Sequence, residues 1–102
     1  MKTSPEEHAV STTTVASGLQ MAAQRAVGDT VDYAGFAPVE EMIDGLTVLE
    51  ARVSIFVSKK GLVYAWAVAG EPGPQFVAVA KQSKLDSPQS VLRRWIAGHR
   101  AI

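Results

Sequence analysis

Cysteine is absent from this chain. That excludes a disulfide framework, a thiolate metal site and a cysteine nucleophile. Long apolar runs are missing too. No stretch approaches about 18 consecutive apolar residues, so the sequence predicts no membrane-spanning helix. The opening "MKTSPEEHAV" places Glu6 and Glu7 where a secretory leader would carry its apolar run. These absences together predict a cytoplasmic protein without a membrane partner. Aromatic residues are scarce: three Phe, two Tyr and two Trp among 102 residues. Where those rings fall therefore carries much of the reading. The length suits one domain with a modest core.

Net charge is zero, but the signs are segregated. Residues 1–45 carry Lys2 and Arg25 against seven acids, a net of −5. Residues 46–102 carry eight bases against Glu50, Glu71 and Asp86, a net of +5. Such asymmetry marks either an anion-binding half or two halves that attract each other, within a chain or across a dimer.

"SPEE" at Ser4 to Glu7 is a capping-box sequence. The β-branched "STTT" that follows is poor for helix, so residues 1–12 are expected to be flexible or frayed, ahead of a single α+β domain over 13–102. Val15, Leu19, Ala22 and Ala26 keep helical spacing, and Gly28 is a suitable stop. "DTVDYAGFAP" reads as a loop punctuated by Gly35 and Pro38. "PVEEMIDG" reads as a short helix running from Pro38 to Gly45.

The second half reads as sheet. "LTVLEARVSIFV" alternates from Leu49 onward, "LVYAWAVA" is apolar on both faces, and "QFVAVAK" supplies a third strand. "DSPQSVLRRWIAGHRAI" closes the chain as a helix capped by Ser87, with Pro88 as its first residue. Its apolar stripe is Val91, Leu92, Trp95 and Ile96. The expected order is α-α-β-β-β-α: a three-stranded or slightly larger antiparallel meander packed with N-terminal helices and a C-terminal helix, a two-layer sandwich.

The hairpin "FVSKKGLVYAW" decides what the sheet shows. Lys-Lys suits a primed two-residue turn poorly. A type I turn over Lys59 and Lys60, with Gly61 as a bulge, pairs Phe56 with Tyr64, Ser54 with Trp66 and Arg52 with Val68. That register leaves a sheet face bearing Phe56, Tyr64, Trp66 and Val68 beside Arg52. An uncovered aromatic face of this kind marks an interface. A two-residue turn would instead slip the register by one, sending Tyr64, Trp66 and Val68 to the core beside Val53 and Ile55. A third arrangement keeps the first register and covers the rings with the N-terminal helix.

Residues that could carry chemistry are sparse. His8 and His99 have no ligand-spaced neighbour. Glu40, Glu41 and Asp44 read as a solvated helix start. "GEPGP" lacks the lysine and helix of a phosphate loop. No catalytic residue, metal ligand or cofactor is expected. The favoured function is a small interaction module, a homodimer or a binder of another protein, anchored on Phe56, Tyr64 and Trp66 with Val68 and Arg52 around them. A second class is nucleic-acid or anion binding through Lys59, Lys60, Lys81, Lys84, Arg93 and Arg94 beside the sheet aromatics. The run of helix, three strands and helix is similar to the element order of the double-stranded RNA-binding domain. In that family a lysine pair opens the last helix, whereas Lys59 and Lys60 stand on the first hairpin. A third class is a small-ligand protein or enzyme with a pocket between sheet and helices, lined by Tyr33, Tyr64, Trp66 and His99.

Overall fold

A computed structural model describes the backbone of residues 4–43 and 47–100 and the side chains of residues 15–40 and 51–98. The element order is α1 (Ser4–Val27), β1 (Asp32–Ile43), β2 (Thr47–Ser58), β3 (Gly61–Val68), β4 (Gln75–Ala80) and α2 (Pro88–Arg100). The four strands form one antiparallel sheet in sequential order. The α+β class and the antiparallel meander agree with the sequence. The order α-α-β-β-β-α does not: there are two helices where three were expected, and the meander has four strands.

The discrepancy lies mainly in β1. Its sequence holds Gly35 and Pro38, which read as loop punctuation and a helix start. Both are accommodated because β1 is an edge strand. The register against β2 shifts between Tyr33 and Gly35, leaving Ala34 as a bulge, and Gly35 takes φ +119°. Pro38 stands opposite Arg52. Carrying the β2–β3 alternation across to β1 turns its missing N–H away from the ladder. Glu40 continues the strand, and Asp44 to Leu46 lie outside the described residues.

Helix α1 is a single element from Ser4, so it runs through "STTT" and through most of the segment expected to be frayed. Leu19, Ala23 and Val27 bury its sheet-facing side at i, i+4, i+8 spacing; Ala26, expected on that stripe, is exposed. Gly28 ends the helix in the left-handed region at φ +70°, and its N–H donates to the Gln24 carbonyl at 2.8 Å. Helix α2 starts as expected. Ser87 Oγ accepts the Ser90 N–H at 3.1 Å and Ser90 Oγ accepts the Ser87 N–H at 2.8 Å, a reciprocal cap.

The helices cover opposite faces of the sheet, which makes three layers instead of two. Tyr64, Trp66, Val53 and Val39 pack with Val91, Leu92 and Ile96 of α2. Phe56, Val63 and Ala65, which alternate with them along β2 and β3, pack with Ala23 of α1 and with Val31. This explains why β3 is apolar on both sides: it is an inner strand with a helix over each face.

The β2–β3 register is the two-residue one. Val57 stands opposite Leu62, Phe56 opposite Val63 and Ile55 opposite Tyr64. The bulged turn favoured from sequence is therefore not formed. Side-chain chemistry rescues the unpromising Lys-Lys pair. Ser58 Oγ donates to the Gly61 carbonyl at 2.9 Å and accepts the Lys60 N–H at 3.1 Å. Gly61 takes φ +122°, which glycine alone adopts at no cost. Lys60 Nζ also reaches the Gly28 carbonyl at 3.4 Å, where the negative end of α1 welcomes a cation.

The ladders differ in length. β1 pairs with β2 out to Ile43 and Thr47, and β3 pairs with β4 out to Val68 and Gln75. The β2–β3 ladder stops at Ser54 and Ala65. Beyond that pair the sheet forks into two hairpins.

Candidate binding edge and cleft

The one-residue change of register separates the expected interface residues. Phe56 lies on the α1 face, buried, with its ring 5.7 Å from that of Tyr33 in an edge-on arrangement. Tyr64 and Trp66 lie on the α2 face, 3% and 2% exposed. Trp66 meets Trp95 of α2 edge-on at 5.8 Å. Val68 is half-buried against the same cluster. Arg52 is exposed, its guanidinium carbon 4.0 Å from the centroid of the Phe36 ring. The aromatic face expected to lie open is thus divided between two cores of the chain itself. The exposed rings are Tyr33 and Phe36 of β1, which read as loop in the sequence.

The basic residues are brought together only in part. Lys59 and Lys60 form the β2–β3 turn. Lys81 follows β4 at the same end of the sheet, its N–H donating to the Leu62 carbonyl at 2.8 Å. Lys84 is exposed in the next loop, and Arg93 and Arg94 are exposed on α2. Arg94 is committed to an ion pair with Asp86 at 3.0 Å. Asp29 and Asp32 stand on the segment that leaves α1 beside this end, so the region is mixed in sign.

Asp86 organises the β4–α2 loop. Its carboxylate accepts the Gln82 N–H at 2.9 Å as well as the Arg94 guanidinium. Its carbonyl accepts the Tyr64 hydroxyl at 3.4 Å. The Gln82 hydrogen bond, outweighing desolvation and joined by Arg94, holds the Asp86 carboxyl below its ordinary pKa. Burial, with the Asp86 charge nearby, pushes the Tyr64 phenol up. A lowered carboxyl pKa means the folded chain binds a proton less readily than the unfolded one. The contribution of Asp86 is therefore complete above the ordinary aspartate value and lost as pH falls through the depressed one. Asp86→Asn is expected to flatten the acid limb of a melting-temperature profile taken from neutrality to about pH 3. An acid limb of unchanged steepness would show that other carboxylates set it.

Two features of the site could not be read from residue identities. The first is the free edge of β4. The Lys81-to-Leu62 hydrogen bond fixes the alternation: Gln75, Val77 and Val79 turn their backbone groups to β3, while Phe76, Ala78 and Ala80 turn theirs outward. The second is the fork between β2 and β3. A cleft of about 550 Å³ opens there, reached by Val15 and Leu19 from one side of the sheet and by Leu92 and Trp95 from the other. Its banks are Ala51 and Arg52 on β2 and Trp66 to Val68 of β3 with Ala69 just beyond. Of the pocket residues expected from sequence, Trp66 lines it, Tyr33 and Tyr64 do not, and the side chain of His99 lies outside those described.

Among the described residues, no three His, Asp or Glu side chains gather as a metal site, and no helix is long and apolar enough to cross a membrane. Comparison with family models, with curated proteins and with solved structures finds no match to this chain.

Proposed function

We propose that this chain is a small non-catalytic interaction module that pairs with a second copy of itself through the open edge of β4. The observation that carries this reading is the contrast between the two edges of the sheet. β1 is guarded by a bulge, by Pro38 and by the acids Asp32 and Glu40, the devices that discourage edge pairing. β4, with the sequence QFVAVA, has no charge, no proline and no bulge. An unguarded β-rich edge is a template for another strand.

A two-fold axis at Ala78 lets Phe76, Ala78 and Ala80 exchange backbone hydrogen bonds with the same residues of the partner. The pairing is isologous, as closed dimers require. It sets Val77 opposite Val79 and Gln75 opposite Lys81, so no like charges meet. The result is one continuous sheet across two chains. The aromatic residues first expected at the interface instead build the rigid core that presents this edge.

Sedimentation tests the proposal. The wild-type chain is expected to sediment as a dimer at tens of micromolar. Ala78→Pro removes an outward N–H while sparing the ladder to β3, and is expected to weaken dimerisation at least tenfold with the circular dichroism spectrum retained. Ala80→Pro gives the same readout at the end of the strand. A monomeric wild type, or folded proline variants that dimerise as before, would refute edge pairing.

A further inference from the structure

We infer that a second copy paired on the β4 edge also docks against α1, its Phe76 ring entering the gap that Ala26 and Ala80 leave beside the helix. The inference rests on the edge pairing proposed above and gives that interface a second layer.

The first observation is area. Six residues of strand edge, about 20 Å long, bury on the order of 200 Å² per chain. A stable pair needs about 800 Å² on each side. The strand alone falls short, so what stands beside it must contribute.

The second is what stands there. α1 rests mainly on β4 and β3, on the face that carries Phe76 and Ala78. A two-fold axis normal to the sheet keeps both copies of α1 on that one face and sets them antiparallel. Lying over the β3–β4 boundary, each helix stands about one strand spacing from the axis, so the two are about 10 Å apart. That is the ordinary separation of packed helices.

The third is a match of shapes. α1 runs parallel to β4, with Leu19 at the fork where β4 begins and Gly28 at the β2–β3 turn where it ends. Phe76 lies against Gly18, and the rises of helix and strand then place Ala22 beside Ala78 and Ala26 beside Ala80. Phe76 fills its own flank of the helix because Gly18 leaves room for the ring. Two strand residues on from Ala78, Ala80 offers only a methyl group, and Ala26 is exposed although its spacing puts it on the sheet-facing stripe. The pairing about Ala78 sets the partner's Phe76 opposite Ala80, on the same face of the sheet. Its ring then covers Ala26, and symmetry makes the contact twice, on either side of an Ala22 pair at the axis.

The chain has no cysteine, so a single introduced one reports on that axis without interference. Facing Cα atoms on helices about 10 Å apart stand about 5 Å from each other, within the span of a disulfide. Ala22→Cys in the full chain is expected to link two copies under mild oxidation. Gln20→Cys is expected not to, because Gln20 lies on the opposite flank, where it donates to the Val31 carbonyl. Ala26→Gln keeps a good helix former at an exposed position but fills the gap. It is expected to weaken dimerisation at least tenfold by sedimentation, with the circular dichroism spectrum retained.

A dimer in which Ala22→Cys links no faster than Gln20→Cys would overturn the helix contact and leave edge pairing standing. So would a dimer that Ala26→Gln does not weaken. The Ala22→Cys link is expected to vanish when Ala78→Pro is added, and its persistence would overturn the assignment of strand and helix to one interface. A monomeric wild type would defeat edge pairing and this inference together.

Discussion

Trp66→Ala is expected to lower the stability of the folded chain by about 3–5 kcal/mol, the usual cost of deleting a large buried ring. The ring is the largest side chain in the core and is almost completely enclosed. It joins Val53 of β2, Val77 of β4 and Leu92 of α2, so its removal leaves a hole where three elements meet. Domains of this size hold only about 5–15 kcal/mol in total, so a large part of the margin goes with one residue. Urea denaturation followed by circular dichroism should show the midpoint falling by more than about 1 M, given slopes of about 1–3 kcal/mol per molar. Trp66→Phe should recover much of that loss. A Trp66→Ala midpoint within about 0.3 M of wild type would mean the indole does not hold the sheet to α2.

The second large effect is a reversal of sign at Gly18. Alanine within a helix is ordinarily better than glycine by about 1 kcal/mol. Here the Phe76 ring of β4 lies against Gly18, and a β-carbon added there would overlap its carbons Cε2, Cζ and Cδ2. Gly18→Ala is therefore expected to destabilise, by about 1–3 kcal/mol before the propensity gain offsets part of it. In a Phe76→Ala background the same substitution is expected to stabilise by about 1 kcal/mol. The double-mutant cycle should yield a coupling of about 1–3 kcal/mol. Additive effects would show that α1 does not rest on β4 through this contact.

Both substitutions probe packing between elements, and that is where the sequence was least legible. Local signals read well. Gly28 as the end of α1, Ser87 and Pro88 opening α2, and the stripe Val91, Leu92, Trp95, Ile96 all stand as expected. These depend on neighbours three or four residues away, which a sequence displays directly. β1 was misread because Gly35 and Pro38 break an inner strand but not an edge, and a strand's place in the sheet is set by partners far along the chain. The hairpin register turned on a serine hydroxyl. Ser58 furnishes hydrogen bonds that the Lys-Lys pair does not, and turn preferences written for the two central residues take no account of it.

One clue was present and carried more than it was asked to. "LVYAWAVA" is apolar at both parities, which calls for cover on both faces of the sheet. With a helix at each end of the chain, the three-layer arrangement follows. Choosing a single covered face instead left the aromatic residues without shelter and made them resemble a docking surface. The cleft was hidden for a different reason. It arises where one ladder ends earlier than its neighbours, and nothing about Ala51, Ala67 or Ala69 announces that their strands have parted.

The placement of α1 has a consequence for how the polypeptide is made. It precedes the whole sheet along the chain, yet its apolar stripe rests mainly on β3 and β4. Ala23 is covered only once Phe56 of β2 and Val63 and Ala65 of β3 are in place, and Gly18 waits longer still for Phe76 of β4. A nascent chain halted before β4 would leave this side of α1 only partly covered, and the protease sensitivity of α1 should fall once that strand is free to fold.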